Sequence, residues 1–223
     1  MSVDRRLQRL FDLVGAAGGV AFFSPVMAAI ALAIVADDGG PVLFRQWRVG
    51  HGRRPFWILK FRTMREGKVT RVGRVLRATG LDEVPQFINI LCGEMSAVGP
   101  RPLTSEDIER LGWKERRFDF RWSCRPGLTG LAQLAGARAD ENALALDRVH
   151  AARWTLLLDC ELIAWSFAVN AFGKRRVRES LRRRFQMPQP TIWRIDYPAP
   201  RPPGGEIAAT RHEATGAQRE KAR

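Results

Sequence analysis

From Leu13 to Ala36 the chain carries no charged residue. A run of about 24 uncharged, mostly apolar residues is long enough to cross the hydrocarbon core of a bilayer as a helix. Three arrangements fit it. A cleaved signal peptide would have the basic start that Arg5, Arg6 and Arg9 supply, and Ala31-Leu32-Ala33 resembles a cleavage site. Against it, the apolar core of such a peptide is ordinarily only about 7–15 residues. A single span and a re-entrant hairpin that dips into one leaflet both take the full length. Ser24-Pro25 lies near the middle, where proline removes one helical hydrogen bond and a serine hydroxyl can occupy the freed carbonyl. Arg5, Arg6 and Arg9 precede the run, and Arg45, Arg48, Arg53, Arg54 and Lys60 follow it. Basic clusters favour the cytoplasmic side, so a straight span exports one of them and a return at Ser24-Pro25 exports neither. Asp37 and Asp38 soften that contrast, and the residues alone leave both topologies open.

The formal charge is +14 and the pI about 11.2. Such a surplus calls for a polyanionic partner: nucleic acid, an anionic bilayer surface or phosphorylated substrates. No recognised nucleic-acid module is present, and nucleic-acid binding leaves the uncharged run unexplained. Cys92, Cys124 and Cys160 are an odd set with no Cys-x-x-Cys, which fits a reducing, cytosol-facing location. At 45% hydrophobic, 223 residues suffice for one sizeable domain. The expected division is a membrane helix over 1–38, a folded cytosolic domain over 39–185 and a disordered, Pro- and Gly-rich tail over 186–223.

After the Gly39-Gly40-Pro41 turn, Val42-Leu43-Phe44 and Phe56-Trp57-Ile58-Leu59 flank a Gly50–Pro55 turn and predict a β-hairpin. Val72–Arg77 predicts a short helix with Arg71, Arg74 and Arg77 on one face and Val72, Val75 and Leu76 opposite. Thr79 with Asp82 matches a helix-start pattern. Residues 103–122 read as one charged helix, and Leu131–Leu134 as a strand or a helix start. Ala143–Ala171 reads as largely helical, with Trp154, Leu157, Leu158, Trp165 and Phe167 forming an apolar surface. Asp159 and Glu161 within it argue against a second span. With the polybasic run from Lys174 to Arg184, this suits a helix lying on an anionic bilayer surface, or a core helix with a basic tail. The fold class is α/β, helix-rich, with small sheets.

The stretch Thr79-Gly80-Leu81-Asp82-Glu83-Val84-Pro85-Gln86 carries two adjacent carboxylates before an apolar helical stripe. Acids at a helix start are favoured electrostatically whatever their role. The functional alternative makes Asp82 a nucleophile toward phosphorus, supported by Glu83. Arg101, between Pro100 and Pro102, is a guanidinium on a stiffened loop beside Gly99, suited to phosphate.

Taken in order, further pieces form a pattern: Gly40-Pro41-Val42-Leu43-Phe44-Arg45-Gln46, Arg48-Val49-Gly50, Lys60-Phe61-Arg62-Thr63-Met64 and Thr70–Arg77. Leu81–Gln86, Asn89, Met95-Ser96, Val98–Pro102 and Pro126–Gly130 complete it. Each is weak alone, but the ordered set is specific. The chain resembles the bacterial sugar transferase family, the monotopic phosphoglycosyl transferases that prime glycan assembly on polyprenol phosphate. The resemblance implies that Asp82 attacks the β-phosphate of a UDP-sugar, expels UMP and holds a phosphosugar that polyprenol phosphate then accepts. It also implies Mg²⁺, with Asp82 as a metal ligand. Arg101 is the preferred phosphate-binding residue, Arg71, Arg74 and Arg77 are candidates, and Lys60 and Arg62 are alternatives. A re-entrant helix broken at Ser24-Pro25, the cytosolic face of the bacterial inner membrane, contact with its lipids, and room for a homodimer follow from the same likeness. Nucleic acid is not an expected partner. The alternative is a single-span anchored scaffold without turnover. Two departures stand out: the loop Arg65–Val69 is short, and the family's Asp-x-x-Tyr reads Asp147-Arg148-Val149-His150.

Overall fold

The computed structural model describes residues 3–137, 141–152, 154–172, 179–181 and 183–184, all within one compact unit. The expected tail over 186–223 and most of the polybasic run lie outside the described residues. The fold is helix-rich with three two-stranded sheets among the described residues, as the α/β class anticipated.

Helix α1 runs Val3–Asp38 and continues through Pro25, so the break expected at Ser24-Pro25 does not interrupt it. The missing proline N–H would have bonded the Ala21 carbonyl, and the Ser24 hydroxyl donates there instead at 2.9 Å. One stripe of α1 is held by the rest of the protein along much of its length. Arg9 donates to the carbonyls of Ile90 and Leu91 at 2.7 and 3.0 Å. Asp12 accepts from the Ser96 hydroxyl and the Ala97 N–H at 3.0 and 2.8 Å. Phe23 stacks on Phe87, while Ile30 and Ile34 pack with Phe61 and Leu76. At the far end Asp37 accepts from the Val72 N–H, Asp38 pairs with Arg62, and Arg65 donates to the Asp38 carbonyl. The opposite side is bare: Phe22 and Leu32 are 73% exposed and Val14 66%. A contiguous apolar surface of this kind calls for a non-aqueous neighbour.

Strands β1 (Leu43–Val49) and β2 (Pro55–Phe61) form the predicted antiparallel hairpin, with Trp47 opposite Trp57 and Phe44 opposite Lys60. Short strands β3 (Met64–Arg65) and β4 (Lys68–Val69) follow. Helix α2 spans Arg71–Thr79, capped by the Thr70 side chain accepting from the Gly73 N–H. Its buried face is Gly73 and Leu76, whereas Val75, expected on the apolar face, is 60% exposed. Thr79 ends this helix instead of starting the next. Its hydroxyl turns back to the Val75 and Leu76 carbonyls, and Gly80 caps the helix in left-handed geometry.

A single 3-10 turn, Leu81–Glu83, leads into helix α3, Gln86–Leu91. Asn89 on α3 is buried and acts as a strand surrogate. It accepts from the Leu59 N–H at 3.0 Å and donates to the Trp57 carbonyl at 2.7 Å, filling the free edge of β2. Strand β5 (Ser96–Val98) pairs in parallel with β6 (Gly127–Thr129). Between them the expected long helix over 103–122 is broken. Helix α4 covers only Ser105–Arg110, with Thr104 and Asp107 forming a capping box, and Gly112 follows at φ +68°. The chain then turns so that Trp113, Phe118 and Trp122 pack with Leu103 and Ile108, and Arg116–Trp122 winds as a 3-10 helix.

Helices α5 (Leu131–Ala135), α6 (Glu141–Ala152) and α7 (Leu156–Phe172) complete the described fold. The expected helical stretch over 143–171 is therefore two helices. They are joined by a buried polar cluster in which Asp159 meets His150 at 3.0 Å and accepts from Trp154 and Gln8 at 2.9 and 3.2 Å. On α7 Leu162 is fully buried, while Leu157 and Phe167 are 82% and 66% exposed.

Candidate active site

Asp82 and Glu83 sit on the 3-10 turn between α2 and α3, both partly exposed. Three tertiary features place them. Asn89 clips α3 to β2, Gly73 brings α2 against Thr63, and β2 delivers Lys60 to the Glu83 carboxylate as an ion pair. A Cβ at Gly73 would lie 2.2 Å from the Thr63 carbonyl oxygen, so that close approach requires glycine.

Burial pushes the Asp82 carboxyl above the usual carboxylate range. Lys60 opposes the rise, Glu83 adds to it, and the Asp82 backbone N–H and then Arg77 oppose it more weakly. Glu83, by contrast, has its charge matched by Lys60. Asp82 is thus a partly desolvated carboxylate held by its own backbone N–H, with no ion pair of its own among the described residues. That arrangement suits a group that must meet an incoming electrophile.

The expected cations divide into distinct groups. Lys60 is at the carboxylates, and Arg77 is aimed by its Nε donating to the Thr63 hydroxyl at 2.8 Å. Arg101 is exposed on its loop, with no hydrogen bond or ion pair from its guanidinium among the described residues. Arg71 and Arg74 lie exposed on α2. Arg62 is committed elsewhere: it pairs with Asp38 and donates to the Pro41 carbonyl at 2.6 Å, tethering the end of α1.

The fold brings two arginines that are not among the expected site residues close to Arg101, Arg48 of the Arg48-Val49-Gly50 segment and Arg121. Arg48, whose side chain is 17% exposed, lies 3.7 Å from Asp107. Burial lowers its pKa; Asp107 opposes this and the neighbouring Arg101 adds to it. Arg121 forms a buried pair with Asp147 at 2.9 Å and also donates to the Arg101 carbonyl at 2.7 Å. A small cavity lined by Val49, Gly50, Arg101, Arg121 and Trp122 lies beside this loop. Asp147 had a signal in the sequence, as the first residue of the altered Asp-x-x-Tyr segment, but Arg121 had none.

The model for bacterial sugar transferases matches residues 3–173. The chain belongs to the bacterial sugar transferase family. It is 40% identical over 184 residues to the UDP-glucose:undecaprenyl-phosphate glucose-1-phosphate transferase of Caulobacter vibrioides, covering 73% of this chain and 68% of that protein. It is 36% identical over 182 residues to the protein of the same name in Escherichia coli K12, covering 72% of this chain but 39% of that longer protein. The exopolysaccharide production protein ExoY of Rhizobium meliloti is 34% identical over 187 residues, with 81% of its length covered. Membership in a family of transferases sets aside the non-catalytic scaffold. The family match spans α1, the hairpin, the Asp82–Glu83 turn and the Arg101 loop, so the sugar transferase elements are those that build this site.

Proposed function

We propose that this sugar transferase moves a sugar 1-phosphate from a UDP-sugar to polyprenol phosphate through a covalent intermediate on Asp82. The observation that carries the reading is the partly desolvated Asp82 carboxylate, outside any ion pair, beside a Lys60–Glu83 pair, in a chain whose relatives are named for this transfer. An Asp82 oxygen attacks the β-phosphorus, the bond from that phosphorus to the bridging oxygen breaks, and UMP leaves. An oxygen of polyprenol phosphate then attacks the same phosphorus and displaces the carboxylate, giving polyprenyl-diphosphate-sugar. Splitting one transfer into two makes the kinetics ping-pong.

Lys60, Arg77 and Arg101 supply positive charge for the transferring phosphoryl group. Removing one such donor typically costs on the order of 10²-fold, so Arg101→Ala is expected to lower kcat/KM about a hundredfold with a normal melting profile. Steady-state UMP release measures it, and a loss below about threefold would remove Arg101 from the phosphate site.

Magnesium fits as a shared ion. Among the described residues no group of three or more metal-binding side chains is gathered, and Glu83 is taken by Lys60. Asp82 is then the carboxylate that would hold it, with water and substrate phosphate oxygens supplying the rest, as Mg²⁺ prefers. When bound, the ion would offset the repulsion between the carboxylates and the diphosphate.

The membrane reading keeps both ends of α1 on the cytosolic face of the inner membrane, with its bare side in lipid. Two observations support it. Both ends of α1 are bonded to the same folded unit, through Arg9 and Asp12 at one end and Asp37 and Asp38 at the other. Its other side is a bare apolar surface. Single cysteines replacing Ser2 or Lys68, in a chain without Cys92, Cys124 and Cys160, are expected to resist an impermeant maleimide applied to spheroplasts. Labelling at either position would overturn this topology. The assay that tests the activity is UMP release over a panel of UDP-sugars with undecaprenyl phosphate and Mg²⁺. Absence of release from every donor would sink it.

A further inference from the structure

Arg101 is held in an unusual way. Pro100 and Pro102 fix their own φ, and Pro102 confines the ψ of Arg101 to the extended region, but neither supplies an N–H that could anchor the segment. Neighbouring carbonyls are secured by backbone: Pro100 accepts from the Gly127 N–H and Leu103 from the Val49 N–H, both at 2.9 Å. The Arg101 carbonyl instead accepts from a side chain, Nη2 of Arg121, at 2.7 Å. The same guanidinium donates from Nε to Asp147 on α6 at 2.9 Å, and the two side chains are 4% and 5% exposed. The Arg121 guanidinium carbon also sits 5.4 Å from the Trp113 ring centroid. A planar fork of donors fixed at one end by a carboxylate sets the direction of what it binds at the other. Asp147 is itself placed by α6, which His150 fastens to Asp159 on α7.

We propose that Arg121, clamped by Asp147, is the positioning residue that aims the Arg101 guanidinium into the active site. It touches no reacting atom. By fixing the Arg101 carbonyl it anchors the peptide plane that carries the Arg101 Cα, and so the direction in which the side chain leaves the loop. This rests on the reading of Arg101 as a phosphate-binding group.

The test is a double-mutant cycle with an exchange measurement, on the full chain in membrane nanodiscs. Arg121→Lys keeps the charge but cannot serve both acceptors in one plane. It is expected to lower kcat/KM by on the order of tenfold to a hundredfold, as a misaimed group does. In an Arg101→Ala chain the same substitution is expected to cost less than about twofold, because the residue it acts through is gone. Equal losses in the two backgrounds overturn the proposal. Amide exchange over residues 97–104 is expected to quicken in Arg121→Lys while the melting temperature holds; unchanged exchange also overturns it. Should Arg101→Ala alone prove harmless, the phosphate-binding reading fails, and the exchange result still decides whether Arg121 holds the loop. Arg121→Gln with Asp147→Asn removes both buried charges together and guards against a chain that fails to fold. It is expected to show the same background dependence.

Discussion

Asp82→Asn is expected to lower UMP release by at least about 10⁴-fold, the scale of loss when a covalent nucleophile is removed. The amide is nearly the same size and keeps the turn between α2 and α3, so folding should survive. What disappears is the lone pair and charge of an oxygen able to bond phosphorus. Local packing sharpens the expectation. The Asp82 carboxyl is raised by burial and opposed chiefly by Lys60, so its ionised form is more basic than a free aspartate. Glu83 is a poor substitute, since its carboxylate is spent on Lys60. Glu83→Gln should accordingly be milder than Asp82→Asn. With wild-type chain, donor and no lipid acceptor, mass spectrometry should find a phosphosugar on the peptide containing residue 82. A variant retaining a tenth of wild-type turnover, or donor consumption with no adduct, would place the nucleophile elsewhere.

Gly127→Ala is expected to destabilise the protein by more than about 4 kcal/mol, beyond what most single substitutions do. The added Cβ would lie 2.0 Å from the Gly99 nitrogen and 2.3 Å from the Thr129 carbonyl oxygen. Both neighbours are backbone, so no flexible side chain can yield. Separating the segments would also strain the bond from the Gly127 N–H to the Pro100 carbonyl, next to Arg101. Gly99 and Gly130 face the same limit, with a Cβ at 2.4 Å from the Arg125 carbonyl oxygen and 2.3 Å from the Gly99 carbonyl oxygen respectively. The control is Gly18→Ala, which meets nothing within 4 Å in the middle of α1. It should hold or gain about 1 kcal/mol, because glycine is a poor helix former. Thermal unfolding and activity after heating would check the pair, and a well-folded Gly127→Ala chain would mean that the loop contact is looser than described.

The hairpin was legible because strand-like runs flank a Gly- and Pro-marked turn over residues 50–55. Helix α2 was legible from its spacing, and the Ser24 hydroxyl takes the carbonyl that Pro25 frees, as local chemistry suggested. The single helix expected over 103–122 is broken in two, because charge periodicity carries no record of the aromatic cluster that Trp113, Phe118 and Trp122 form with Leu103. Thr79 followed by Asp82 fitted a helix start, yet a left-handed Gly80 intervenes and the threonine bonds backward.

The sequence by itself determined that an uncharged helix is present, that two carboxylates follow an arginine-bearing helix, and that one arginine stands between prolines. Those are local properties, written in consecutive residues. Only the tertiary structure decided which cation meets which carboxylate: Lys60 with Glu83, Arg62 with Asp38, Arg121 with Asp147 and the Arg101 carbonyl. It also decided which stripe of α1 is packed and which is bare. A uniformly apolar run does not encode a facing direction, and in a chain rich in arginine any carboxylate has many partners within reach of the sequence. Chain folding selects among them by bringing distant segments into hydrogen-bonding range.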